Sequence, residues 1–261
     1  MLTLYDHPLS PYAQKVKIAL REKGVAFEAV LPGGLGAGGA QGAFLAANPR
    51  AEVPTLVDGD LGVFDSTIIL EYVEDRWPEP ALLPTTPAER ARVRMLEEVM
   101  DTHVEAINWG LSEIRWFRRA TGVAAEAIQA RAAEQTQGAF AWLERQLGAR
   151  PWFNGETFGW GDLAVVPFVN GSVGHGARPA EGSRLADWLA RANARPSVAE
   201  TTGEAARLAT AMAGVADLVE KGLFKREYRD HRLEWMVKSG GIQVVIEGLE
   251  RGNIRFTPDL A

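Results

Sequence analysis

The hydrophobic period of this 261-residue chain changes once, and that change constrains the fold more than any single motif. Through about residue 76, short β-type alternations are separated by runs with helical spacing. Beyond a stretch holding Pro78, Pro80 and Pro84, every apolar pattern to about residue 218 is helical. Leu2 to Tyr5 reads as a strand, Pro11 to Lys23 as a helix ended by Gly24, and Val25 to Leu31 as a second strand. A helix between two such strands makes a βαβ unit, whose crossover is right-handed. A short helix follows near 43–47. Then 55–57 and 63–64 flank Asp58-Gly59-Asp60, a hairpin turn signal, and a helix over 66–76 closes the unit. The expected order is β-α-β-α-β-β-α, followed by an all-α region.

The organisation expected from this pattern is an α/β domain at 1–77, a linker at 78–86, an all-helical domain at 87–219 and an extension at 220–261. Thr86-Pro87-Ala88-Glu89 is a strong helix start. Helices are expected at about 87–119, 123–148, 161–174, 183–194 and 197–218. In the extension, 225–250 has helical character broken at Gly240-Gly241, and Ile254-Arg255-Phe256 suits an extended segment. Its aromatic and β-branched content predicts order against the body.

Charge and composition narrow the chemistry. A net charge of -6 argues against nucleic-acid and anionic-membrane partners, which need a basic surface. The chain has no cysteine, so a thiol reaction here needs a thiol supplied by a ligand. The start lacks the basic and apolar regions of a signal peptide, and no apolar run approaches membrane-spanning length. A cytoplasmic location is expected. The four histidines, His7, His103, His175 and His231, lack ligand spacing, so no metal site is expected. His7 is near Ser10 in sequence, but surface exposure is the simpler reading.

Three short segments stand out: Ser10-Pro11-Tyr12, Val53-Pro54 and Asp65-Ser66. Ser10 precedes a proline at a helix start and reads as an N-cap. The same geometry would let its hydroxyl donate to a thiolate beside the positive helix end. A free thiol has a pKa near 8.5, and lowering it by ~2 units makes most of it nucleophilic at neutral pH. Val53-Pro54 is either a proline starting an edge strand or a cis proline that exposes the valine backbone to an extended peptide. Asp65-Ser66 opens a helix as a cap, and the same groups suit the carboxylate and ammonium of a ligand.

SPYAQKVKIALREKGV, NPRAEVPTLVDGD, FDSTIILEYVEDRWPEPALLP and GETFGWGDLAVVP occur here in the order of the cytosolic glutathione transferases. Residues 1–200 resemble that superfamily, and the SPY segment is similar to its serine-type bacterial members. The resemblance implies a thioredoxin-like N-terminal domain, an all-α C-terminal domain, glutathione as co-substrate and a homodimer. It implies that Ser10 stabilises the thiolate and that Tyr12, Glu52, Val53, Pro54, Asp65 and Ser66 hold glutathione. It places Leu9, Trp109, Arg115 and Trp116 around an apolar or aromatic electrophile, the usual substrate of a detoxification enzyme. Lyase, dehalogenase, ether-cleaving or isomerase chemistry with the same thiol, and a noncatalytic binding module, remain open.

Two departures from the family pattern carry weight. Ala51-Glu52 stands where Gly-Lys is frequent, removing a cation for a glutathione carboxylate. Gly159 stands where a Ser or Thr cap precedes the aspartate, here Asp162, whose expected role is structural. Gly34 to Gly39 matches GxGxxG, but the hairpin that follows argues for a flexible loop rather than a dinucleotide site. Lys225, Arg226, Arg229 and Arg232, interleaved with acids, read most simply as a solvated face, with a lid over the cleft as the second reading.

Overall fold

A computed structural model describes residues 1–35, 42–228, 230–256 and 258–260. The glycine-rich loop at 36–41 and Arg229 fall outside the described residues. The N-terminal elements are β1 (Leu2–Tyr5), α1 (Pro11–Glu22), β2 (Phe27–Val30), α2 (Gly42–Ala47), β3 (Thr55–Asp58), β4 (Leu61–Phe64) and α3 (Ser66–Arg76). The strands form one sheet in the order β2-β1-β3-β4, with β1 parallel to β2 and antiparallel to β3. This is the expected thioredoxin-like α/β order. Alternation along β1 puts Leu2 and Leu4 into the core with Val16, Ile18 and Leu20 of α1, whereas Tyr5 meets Phe44 of α2 at 5.1 Å. Helices therefore cover both faces of the sheet.

The helical region contains α4 (Pro87–Val99), α5 (Glu105–Arg115), α6 (Gly122–Leu147), α7 (Trp160–Gly174), α8 (Arg184–Asn193), α9 (Pro196–Ala211) and α10 (Val215–Glu220). Helix α7 is buried nearly all round, as expected for a central helix apolar on every side. Its start depends on Asp162, which accepts from the N–H groups of Phe153, Asn154 and Gly159 and from Trp188 Nε1 at 2.7–3.2 Å. Burial still pushes this carboxyl up to about 6, with the Trp188 hydrogen bond the largest offset. Gly159 is needed for space: a Cβ there would sit 2.4 Å from the Leu82 carbonyl oxygen.

One long helix over 87–119 is expected, but the segment is divided. A π-helical turn at Met100–Val104 separates α4 from α5, and α5 ends at Arg115. The N–H groups of Trp116 and Phe117 both turn back to the Ser112 carbonyl, and Arg118 takes φ +50°, closing the helix early. The linker is tightly held: Lys23 Nζ donates to the carbonyls of Trp77 and Pro80, and Glu74 accepts from the N–H groups of Leu82 and Leu83.

The extension forms α11 (His231–Lys238) and α12 (Ile242–Glu250), broken at the glycine pair as expected. Its packing is less complete than expected. Segments 224–228 and 258–260 touch the body, with Asp259 bonded to Arg131 and Gln135. Helix α11 buries no residue, Phe256 is 75% exposed, and Ile254 packs back on Gly248 of its own hairpin. No helix among the described residues is long and apolar enough to cross a membrane.

Candidate active site

A cavity of about 490 Å³ opens between the start of α1, the loop before β3, helices α5, α7 and α9, and the segment after α10. Ser10 lies on its wall as the N-cap of α1, its Oγ accepting from Ala13 N–H at 3.3 Å. The hydroxyl proton has no acceptor among the described residues. Pro11 occupies the first turn, where a missing N–H costs nothing. The result is a donor beside the positive end of a 12-residue helix.

The Val53-Pro54 peptide is cis. Val53 lines the cavity, and its N–H and C=O make no hydrogen bond among the described residues. The loop before it is pinned by fully buried Asn48, whose amide nitrogen donates to Glu52 O and Thr55 Oγ1 at 2.9 and 3.0 Å. Pro54 itself is buried and turned away from the cavity. Glu52 faces the cavity and pairs with the Arg50 guanidinium at 3.0 Å. The missing Gly-Lys cation thus has a neighbour in Arg50, which sequence reasoning does not single out.

Asp65 and Ser66 start α3 outside the cavity wall. Asp65 is exposed, takes φ +73° and caps the helix through the N–H groups of Thr67 and Ile68. A non-glycine residue held at positive φ stores backbone strain, a feature concentrated at functional sites. Behind it lies a buried cluster that the sequence does not reveal. Lys15 of α1 is fully buried and contacts Glu97 and Asp101, each at 2.7 Å. Trp160 Nε1 and Thr67 Oγ1 also donate to Glu97. Burial pushes the Asp101 carboxyl up to about 7 despite Lys15, with Glu97 and Asp65 adding to the rise. Burial opposes the Lys15 charge too, but the Asp101 and Glu97 carboxylates outweigh it and raise its pKa.

Tyr12 lines the cavity beside Ser10, and its hydroxyl donates to the Asp101 carbonyl at 2.8 Å, tying α1 to the π-helical turn. Leu9, Trp109 and Trp116 line the apolar wall. Arg115 does not: its guanidinium caps the end of α7 by donating to the Gly174 carbonyl, drawing the exposed side chain off the cavity. His7 is half-buried on the wall rather than exposed, and its Nδ1 accepts from Leu9 N–H at 3.3 Å. Burial lowers its pKa. His175 also lines the wall, with burial pulling its pKa down to about 4. Among the described residues no acid, histidine or cysteine cluster could hold a metal.

The basic face in the extension is not simply solvated. Phe224 and Arg226 form the roof of the cavity, Phe224 stacking on Phe117 with ring centres 5.9 Å apart. Tyr228 meets Trp109 edge-on at 4.5 Å.

Two family models match this chain: the N-terminal domain of glutathione S-transferase over residues 4–81 and its C-terminal domain over residues 126–191. The chain belongs to the cytosolic glutathione transferase superfamily. Glutathione S-transferase U28 of Arabidopsis thaliana is 29% identical to this transferase-family chain over 214 residues, 79% of this chain and 91% of that protein. A stringent starvation protein A homolog of Coxiella burnetii is 42% identical over 96 residues, 37% of this chain and 44% of that protein. That match spans less than half the relative's length. Among solved structures, the theta class glutathione S-transferase of Xanthomonas axonopodis pv. citri with glutathione bound is 27% identical. It superposes with a TM-score of 0.67 over 77% of this chain and 96% of that one.

Proposed function

We propose that this chain is a serine-type glutathione transferase acting on an apolar or aromatic electrophile. The observation that carries the reading is the Ser10 hydroxyl at the capped start of α1, opening beside the unpaired Val53 backbone and facing an aromatic wall. In this reading Val53 pairs with the cysteinyl unit of glutathione. Asp65 and Ser66 hold its γ-glutamyl end, and Arg50 with Glu52 borders the other end. The Ser10 hydroxyl donates to the sulfur, and the helix end favours its negative charge. The thiol proton leaves to solvent. The thiolate then forms a carbon–sulfur bond as the leaving group departs with its electron pair, and proximity in a shared cleft supplies much of the remaining acceleration. Glutathione bound in the similar Xanthomonas structure supports the choice of thiol.

Calorimetric titration with glutathione and a spectroscopic titration of its bound thiol test this. Binding is expected, with a thiol pKa below the free value that rises on Ser10→Ala. No binding sinks the transferase reading; an unchanged thiol pKa in the variant removes Ser10 from the role. The similarity over 96 residues to a stringent starvation protein A homolog, a protein not named as a transferase, supports a second reading, a noncatalytic module. Glutathione binding without turnover of any electrophile would select it.

A further inference from the structure

The roof of the cavity lies beyond residue 191, where the family-model matches end, and it is fastened by charge. Arg226 Nε donates to Glu113 Oε1, while Arg119 Nη1 donates to Glu113 Oε2 at 2.6 Å and to the Tyr228 hydroxyl at 3.2 Å. Glu113 is 7% exposed, so it is one nearly buried carboxylate facing two guanidinium groups. One positive charge in this trio is left over. The other acids on the wall, Glu52, Glu105 and Glu227, are not free either, Glu52 pairing with Arg50.

The Arg226 guanidinium lies against two aromatic rings. Its central carbon lies 3.8 Å from the Phe117 ring centre and 4.7 Å from that of Trp109. Such a cation cannot swing out without leaving both rings. Arg226 lines the cavity, and its two terminal nitrogens have no hydrogen-bond partner among the described residues. Neither is among the fully buried unpaired atoms, and the side chain keeps 14% of its surface accessible. A guanidinium with one edge spent on Glu113 keeps planar N–H donors for an oxygen pair of fixed geometry. The neighbouring wall, Trp109, Trp116 and Phe168, suits a flat apolar ring.

We infer that Arg226 is the specificity-determining group of the second-substrate pocket, selecting planar aromatic compounds that carry a carboxylate. This inference rests on the transferase reading for its biological meaning, but not for its test. The aromatic body lies along the Trp109 side, and the carboxylate meets the free edge of the guanidinium. The C-terminal extension thereby becomes part of the substrate site rather than an appendage.

Calorimetry on the full chain with 2-naphthoate and its methyl ester tests this directly. The pair shares one ring system, differs in charge and has no leaving group. A charge-assisted hydrogen bond contributes a preference of roughly 10-fold to 100-fold. The wild-type protein is expected to bind the carboxylate tighter than the ester by that factor. Arg226→Gln should collapse the preference, and Arg226→Lys should retain part of it, because charge survives but the planar fork does not. The inference is overturned if the wild type shows no preference or binds neither compound, or if Arg226→Gln keeps the preference. It is also overturned if both compounds weaken equally, which is what loss of a mere roof contact would produce. If glutathione fails to bind while the naphthoate preference follows residue 226, the transferase reading falls and the anion pocket stands. If glutathione binds while the naphthoate preference is absent, the anion pocket falls and the transferase reading stands.

Discussion

Among the charge groups that fasten this molecule, two of three members each have opposite stoichiometries. At the junction of the two domains a single cation, Lys15, faces Glu97 and Asp101. At the cavity roof a single anion, Glu113, faces Arg119 and Arg226. The odd charge meets a different fate in each place. In the buried junction the surplus carboxylate is costly to keep ionised, and Asp101 responds by moving up to about 7. At the roof the surplus charge belongs to an arginine, which does not deprotonate in proteins. It therefore persists as a cation beside the cavity. The junction can absorb its imbalance by taking up a proton, whereas the roof keeps its surplus as a cation shared between solvent, at Arg119, and the cavity, at Arg226.

The comparison can be broken most sharply at Lys15. Replacing it with methionine leaves two carboxylates in a buried site and should destabilise the protein by about 3–5 kcal/mol, read from urea unfolding. A loss under about 1 kcal/mol would show that water screens the junction as it screens a surface ion pair. Asp101→Asn probes the same site through pH. The folded pKa of Asp101 is raised above its ordinary 3.8, so the native state holds this proton more tightly than the unfolded chain. That contribution to stability is complete below about pH 4 and is lost as pH rises through about 7. The variant should lose this decline between those limits and gain relative stability at pH 8. An unchanged pH profile would mean that folding does not raise the pKa of Asp101.

Smaller effects are expected at the cavity. Ser10→Ala removes the cap on α1 and should cost about 1 kcal/mol in the same unfolding experiment. A much larger loss would mean that Ser10 supports more of the domain than one helix end. Arg226→Gln should change global unfolding by less than about 1 kcal/mol, since half of the Glu113 pairing survives through Arg119. The same substitution should speed proteolysis after Lys221 and Lys225, because the roof loses its tie to Glu113. Unaltered proteolysis would show that Phe224 and Tyr228 hold the roof without it.

Much of the scaffold is legible in the sequence because it depends on local rules. Strand alternation, the Asp58-Gly59-Asp60 turn and the proline-first helices are written within a few residues of where they act. The cap at Ser10 and the boundary at Gly24, with φ +64°, follow from the same kind of reasoning. The division of the expected helix at 87–119 is hidden because its apolar spacing continues through a π-helical turn. That turn brings Asp101 to Tyr12 and Lys15, partners more than 80 residues away. The family resemblance puts Arg115 on the substrate wall, yet its side chain follows a free carbonyl at the end of α7.

What the amino-acid order determined by itself is the frame: an α/β domain with its elements in sequence, a helical domain, and a serine capping a helix start. These rest on backbone periodicity, capping and turn chemistry, which act over one or two turns of chain. What only the tertiary structure decided is where the charges go. Lys15 is one ordinary lysine in an apolar helix until Glu97 and Asp101 arrive from the second domain. Arg226 reads as one residue of a solvated basic run until Glu113, Trp109 and Phe117 take it out of water. The fate of a charge depends on the dielectric and the partners that folding brings to it, and these come from distant parts of the chain.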